Sequence, residues 1–286
     1  MFDRIIIAVG FFTLCLVAGF VTSTPSRADT LDNIKKSGEI KIGYRKDAPP
    51  YSYQGPDGKP AGYTIDLCQA VVGRLKQQLQ LGSLNSKFVA VTAKARFEAI
   101  RQGKIDLLCG ASTITLSRRK VVDFSVPFFA DGATVVFRSG GPSSLPELAG
   151  HKVGVVSGTT TEKLLKRTLE VIKIKAEVVS VSNHLEAIKQ MKSGKLAAYF
   201  ADRGVLQHLV SKLADRADLQ LSDRFFSFEP YGLGLRHGDN DFRLAIDTAL
   251  SKIFRSPDFS VILLRHFKGN PSSALKTLFL ISALPN

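Results

Sequence analysis

Glu98-Ala99-Ile100-Arg101-Gln102-Gly103-Lys104, running into Ile105-Asp106-Leu107-Leu108-Cys109, has a second copy further along the chain. There Glu186-Ala187-Ile188-Lys189-Gln190 leads through Gly194-Lys195 into Ala197-Ala198-Tyr199-Phe200. In both copies a helix, a Gly-Lys turn and a buried strand follow one another, with helices expected over 96–102 and 184–192 and strands over 105–109 and 197–200. Working outward, strands are expected at 40–44, 88–91, 152–156 and 177–181. Helices are expected at 65–81, where Leu67, Val71, Val72, Leu75 and Leu79 share one side, and at 160–169. Strands alternating with helices specify an α/β protein with mostly parallel sheets. The two copies divide it into two lobes of related build, 29–137 together with 229–286, and 138–228. Tyr231-Gly232-Leu233-Gly234-Leu235 returns the chain to the first lobe. Two crossings between lobes make a hinge, and the cleft between them is the place for a ligand.

Composition narrows the function classes. The chain has 286 residues, 44% hydrophobic and 22% charged, which is a globular balance that excludes disorder. Its 39 Lys plus Arg exceed its 25 Asp plus Glu, giving a formal charge of +14. That excess admits nucleic acid, an anionic surface or an acidic small ligand as partner. The densest basic run is only Ser117-Arg118-Arg119-Lys120, and no nucleic-acid module accompanies it, so no nucleic-acid partner is expected. Ile5 to Val21 is an uncharged apolar run between Arg4 and the small-x-small site Ser26-Arg27-Ala28, which reads as a cleaved signal over 1–28 and export to the periplasm. Export permits a disulfide between Cys68 and Cys109, but the sequence leaves their pairing open. No metal-ligand spacing, phosphate loop, dinucleotide fingerprint or nucleophile elbow is present. No metal, cofactor or catalytic residue is expected.

Ligands of open α/β sheets gather beyond the carboxyl ends of strands, near helix amino termini. Thr159-x-x-Glu162 and Asn183-x-x-Glu186 are capping boxes, and the first leaves N–H groups near Thr160 and Thr161 available to an anion. Arg96 precedes Glu98 as His184 precedes Glu186, so the repeat sets Arg96 and His184 at equivalent helix starts. Ser112 and Thr113 follow the strand ending at Cys109. Asp202 follows the strand ending at Phe200, where it suits either an ammonium group or a helix cap. Arg45 follows the first strand and Arg118 the Ser/Thr segment, and arginine suits bidentate carboxylate binding.

These residues resemble the periplasmic amino-acid-binding proteins of ABC transporters, the family 3 solute-binding proteins. The resemblance is strongest over Cys109-Gly110-Ala111-Ser112-Thr113-Ile114-Thr115-Leu116-Ser117-Arg118 and Val122-Asp123-Phe124-Ser125-Val126-Pro127, with Ser157-Gly158-Thr159-Thr160 and Asp202 in support. It implies the two-lobed type II periplasmic-binding-protein fold. It also implies that Arg118 grips an α-carboxylate, that Thr160 and the neighbouring N–H groups help, and that Asp202 holds the α-ammonium with the Thr113 region. Arg45, in Tyr44-Arg45-Lys46-Asp47-Ala48-Pro49-Pro50-Tyr51-Ser52-Tyr53, together with Arg96 and His184, is similar to the glutamate/aspartate-binding subgroup. Those three would then surround a side-chain carboxylate, and Tyr51 counts as a further expected contact. Ala93 and Ala111 depart from the subgroup, which often has Ser there. The implied protein is a monomer that delivers L-glutamate or L-aspartate to a membrane ABC permease. The rival readings are a cyclohexadienyl- or arogenate-type dehydratase on the same fold, and a binder of another polar amino acid.

Overall fold

A computed structural model describes residues 30–213 and 218–285, so the expected signal segment lies outside the described residues. Two five-stranded sheets carry the fold. The first runs Asn85–Val91, Glu39–Arg45, Leu107–Cys109, Gly234–Arg236, Val122–Phe124 from edge to edge. The second runs Glu177–Val181, Lys152–Val156, Ala198–Asp202, Ala133–Arg138, Leu219–Leu221. The first three strands of each sheet are parallel, and the fourth is antiparallel to both its neighbours. That fourth strand is, in each sheet, the one that has just arrived from the other lobe. The faint sequence repeat therefore corresponds to one topology used twice.

The chain crosses between lobes at Phe129–Asp131 and again at Glu229–Tyr231, and these two segments pair with each other as an antiparallel ribbon. The expected lobe boundary after residue 137 falls too late. Ala133–Arg138 pairs with Ala198–Asp202 and Leu219–Leu221, so its residues from Ala133 to Phe137 are all buried in the second sheet. The return segment Tyr231–Leu235 is likewise not one strand: Tyr231 ends the hinge ribbon and Gly234 begins the first-sheet strand. Elsewhere periodicity set the elements well, with small shifts at their ends. The long apolar helix spans Tyr63–Gln78, and the second-lobe helices span Thr160–Val171 and His184–Lys192.

The first lobe packs the helix Tyr63–Gln78 and the C-terminal helices Asn240–Phe254 and Pro257–His266 over its sheet, burying Leu67, Val71, Leu75, Phe242, Ile246 and Ile253. One end of the hinge ribbon, where Phe129 pairs with Tyr231, enters an aromatic cluster. Phe129 stacks with Phe267, and Tyr51 meets Phe129, Tyr231 and Phe267 edge-on or tilted. The apolar tail forms a further helix, Ser273–Ser282, whose Phe279 packs on Phe254 and Phe259. No helix among the described residues is long and apolar enough to cross a membrane.

Cys68 on the helix Tyr63–Gln78 is disulfide-bonded to Cys109 at the end of the strand Leu107–Cys109, closing a loop of 41 residues in sequence separation. A loop of that length restricts the unfolded chain by about 4 kcal/mol. Cys68→Ser should therefore lower the urea midpoint substantially, and dithiothreitol should lower the wild-type midpoint towards the same value. A midpoint insensitive to reductant would mean that the two thiols do not pair.

Candidate functional site

The carboxyl ends of the two sheets face one another across a small cavity between the lobes. Arg45, Arg96 and Thr113 line it from the first lobe; Thr160, His184 and Asp202 line it from the second. Six of the nine residues singled out from sequence thus converge on one space. The lobes touch beside it: a Cβ on Gly158 would stand 2.9 Å from the Lys94 Cα, and Gly158 has a φ of +78°. Glycine is needed there for both the turn and the close approach.

The second-lobe wall is built from helix starts. Thr159 accepts the Glu162 N–H at 3.0 Å and caps the helix Thr160–Val171 beside the cavity, while Glu162 reaches back one residue past the cap to take the Gly158 N–H at 2.8 Å. Asn183 accepts the Glu186 N–H at 2.9 Å, which fixes His184 in the first turn of its helix. The His184 Nδ1 pairs with the Tyr199 hydroxyl at 2.5 Å. Burial, with the Arg45 charge adding to it, pushes the imidazole down to about 4, so His184 is neutral at physiological pH.

Asp202 is the last residue of the strand Ala198–Asp202 and stands at the N-cap position of the next helix, yet its side chain makes no capping bond. Its carboxylate instead accepts the Tyr231 hydroxyl at 2.7 Å and the Thr161 hydroxyl at 3.2 Å. Of the two roles open to it from sequence, the cap is excluded. Burial raises its pKa to about 7, and the nearby Glu229 and Asp131 carboxylates push in the same direction. A cation placed beside Asp202 would relieve that strain.

Opposite stands Arg96, 2% exposed at the start of the short helix Arg96–Arg101. Its Nη1 donates to the Ala93 carbonyl, and its Nε is buried with no partner. Burial, then Arg118 and Arg45, hold this guanidinium well below its usual range. A buried donor without an acceptor is costly, and a charged one more so.

Three expected contacts are placed elsewhere. Arg118 is not among the lining residues; it donates to the Thr113 carbonyl at 2.7 Å, lies over the Phe97 ring and stands near enough to feel the Glu229 and Asp202 charges. The Ser112 hydroxyl is buried without a partner, but Ser112 does not line the cavity either. Tyr51 faces the hinge, where its hydroxyl donates to Asp131 at 2.7 Å. Its position among aromatic rings, with Gly204 pressed against the hydroxyl, makes it part of the hinge core.

Two acidic residues were missed. Asp47 forms a bidentate pair with Arg45, at 2.6 Å from Nε and 2.7 Å from Nη2. Glu229 is buried on the hinge ribbon and accepts hydroxyls from Thr113 at 2.5 Å, Thr160 at 2.7 Å and Ser227 at 2.8 Å. The i, i+2 spacing of Arg45 and Asp47 was the available signal for the first. A lone carboxylate within the apolar run Phe225-Phe226-Ser227-Phe228-Glu229-Pro230-Tyr231 was the signal for the second.

Residues 40–269 match the family model of bacterial extracellular solute-binding proteins, family 3. The chain belongs to that family. This solute-binding protein is 32% identical over 262 residues to an L-glutamate/L-aspartate-binding protein of Pseudomonas aeruginosa, covering 90% of this chain and 86% of the relative. It is 31% identical over 229 residues to a glutamate/aspartate import solute-binding protein of Salmonella typhimurium, covering 80% and 76%. Among solved structures, a mutant of ArgBP from T. maritima is similar with a TM-score of 0.73 and 28% identity, over 84% of this chain and 99% of that one. The solute-binding protein therefore has the type II two-lobed fold.

The Asp202 environment predicts a pH effect on stability. Because its folded value lies above the ordinary carboxyl value, its contribution is fully present below about pH 4 and is lost as pH rises through about 7. Urea midpoints of Asp202→Asn should fall less between pH 5 and pH 8 than those of the wild type. Parallel pH profiles for the two proteins would show that Asp202 ionises normally.

Proposed function

We propose that the protein captures L-glutamate or L-aspartate between its lobes in the periplasm and delivers it to a membrane ABC permease. The observation that carries this reading is Arg96, a buried guanidinium with an unpartnered Nε on the wall of a cavity whose other side presents the Asp202 carboxylate. An acidic amino acid supplies what both groups lack. Its side-chain carboxylate answers Arg96, its ammonium answers Asp202, and its α-carboxylate meets the N–H groups at the start of the helix Thr160–Val171. Arg118 stands behind Thr113 and adds positive potential to that end. The names of the two bacterial relatives support the same ligand class.

Charge-assisted bonds contribute about 1.5–3 kcal/mol each. A few of them, less the cost of association, sustain roughly micromolar or tighter binding. Glutamine would leave Arg96 facing an amide, a penalty that separates the two ligands. The mechanism is closure: the lobes meet beside the cavity through Thr113 with Thr160 and Asp47 with His184, so entry and release require the hinge ribbon to bend.

One observation favours a second reading. Asp202, raised to about 7, is a carboxyl that carries a proton for part of the time at neutral pH, as a dehydratase acid must. Turnover of prephenate or arogenate by the purified protein would establish that reading, and none is expected.

Calorimetry on protein freed of ligand by unfolding and refolding tests the acidic reading. Glutamate or aspartate should bind at least about tenfold more tightly than glutamine, histidine or arginine, a difference of about 1.4 kcal/mol. Equal or tighter binding of a neutral or basic amino acid would overturn it.

A further inference from the structure

Arg45 and Arg96 enter the cavity from the same lobe in opposite electrostatic conditions. Arg96 has a backbone carbonyl, the Phe97 ring 4.7 Å from its guanidinium carbon and a buried Nε with no partner, but no bonded anion. Arg45 is already saturated on one edge, with Nε and Nη2 both on the Asp47 carboxylate. The pair is largely withdrawn from solvent, its side chains 6% and 14% exposed. The same Asp47 Oδ2 also accepts the His184 N–H at 3.3 Å, across the cleft in the first turn of a second-lobe helix. Asp47 therefore holds two places that suit an incoming carboxylate, the forked edge of a guanidinium and a helix amino terminus. Burial by itself would push the Asp47 carboxyl up, but the hydrogen bond and charge of Arg45, with His184, hold it below the usual range. The competitor is thus ionised wherever an acidic ligand is ionised.

We infer that Asp47 is a specificity-determining residue: it competes with the ligand's side-chain carboxylate for Arg45 and leaves discrimination between acid and amide to Arg96. This rests on the reading of the cavity as an acidic amino-acid site. A carboxylate entering beside Arg45 meets a pair that is neutral as a whole and must share or displace the existing anion. An amide entering the same place meets no such repulsion. Asp47 thereby narrows the preference for acidic over amide ligands that two free arginines would give. Because the His184 contact crosses the cleft, Asp47 exerts this effect in the closed form.

The test is the ratio of L-glutamate to L-glutamine affinity, measured by calorimetry on refolded protein. Asp47→Asn removes the competing charge and should raise that ratio about tenfold, the scale of one partly screened charge at close range. Adding Arg45→Met to Asp47→Asn should abolish the gain, whereas Asp47→Glu, which keeps the carboxylate, should show none. A residue that only props Arg45 in place would lower the ratio when removed. An unchanged or lower ratio in Asp47→Asn overturns the inference while a wild-type preference for glutamate leaves the acidic reading intact. If the wild type instead prefers glutamine, the acidic reading fails; a gain in Asp47→Asn would still support the role of Asp47, and no gain would overturn it. Should Asp47→Asn not fold, Arg45→Met and the double variant decide, since replacing a whole buried pair is better tolerated than breaking it. The ratio must then be higher in the double variant than in Arg45→Met, and the opposite order overturns the inference.

Discussion

The Glu229 carboxylate ties the two lobes to the hinge. It sits on the ribbon where the chain returns to the first lobe, takes the Thr113 hydroxyl from one lobe and the Thr160 hydroxyl from the other, and is buried from water. A buried carboxylate must have its acceptors satisfied. Here that requirement is met only when the lobes are together, so the charge makes closure and solvation one event. Asp202 resists ionisation first because it is buried and then because the Glu229 and Asp131 carboxylates stand close by, and a cation is welcome beside it. Arginines on the facing wall complete the field. The closed cleft is thus polarised, acidic towards the hinge and basic towards the Arg96 helix, and a zwitterion with an extra carboxylate has the matching order of charges.

Much of this arrangement was legible in the sequence because it follows from local periodicity. Strand ends and capped helix starts are set by neighbouring residues, and in α/β lobes they point into the cleft. Arg45, Arg96, Thr113, Thr160, His184 and Asp202 were all identifiable on those grounds. What stayed hidden was set by distant pairing. The strand Ala133–Arg138 reads equally well as the end of one lobe or the start of the next, and only its partners Ala198–Asp202 and Leu219–Leu221 assign it. Tyr51 lies in a stretch that resembles the family's ligand contacts, yet its side chain turns to the hinge because Phe129, Tyr231 and Phe267 bury it there. Glu229 and Asp47 escaped notice because no motif marks a carboxylate whose partners come from other elements.

The positive charge of the chain now has a more restricted meaning. An excess of basic residues points to an acidic partner, and in the sequence three arginines answer it. In the structure Arg45 is neutralised by Asp47, and Arg118 is bonded to the Thr113 carbonyl and does not line the cavity. Among the three, Arg96 alone lines the cavity with a buried nitrogen left without an acceptor. Net charge steers anions towards the protein at low salt, whereas selectivity among amino acids depends on which guanidinium is left without an anion.

The most direct test of the account is a cycle that pairs one change in the protein with one in the ligand: L-glutamate and L-glutamine measured on wild type and on Arg96→Met. If the buried Arg96 charge meets the side-chain carboxylate, the substitution weakens glutamate at least about tenfold more than glutamine, a coupling of about 1.4 kcal/mol. Equal losses for the two ligands would contradict the account, because Arg96 would then contribute to the shape of the cleft and not to the recognition of an acidic side chain.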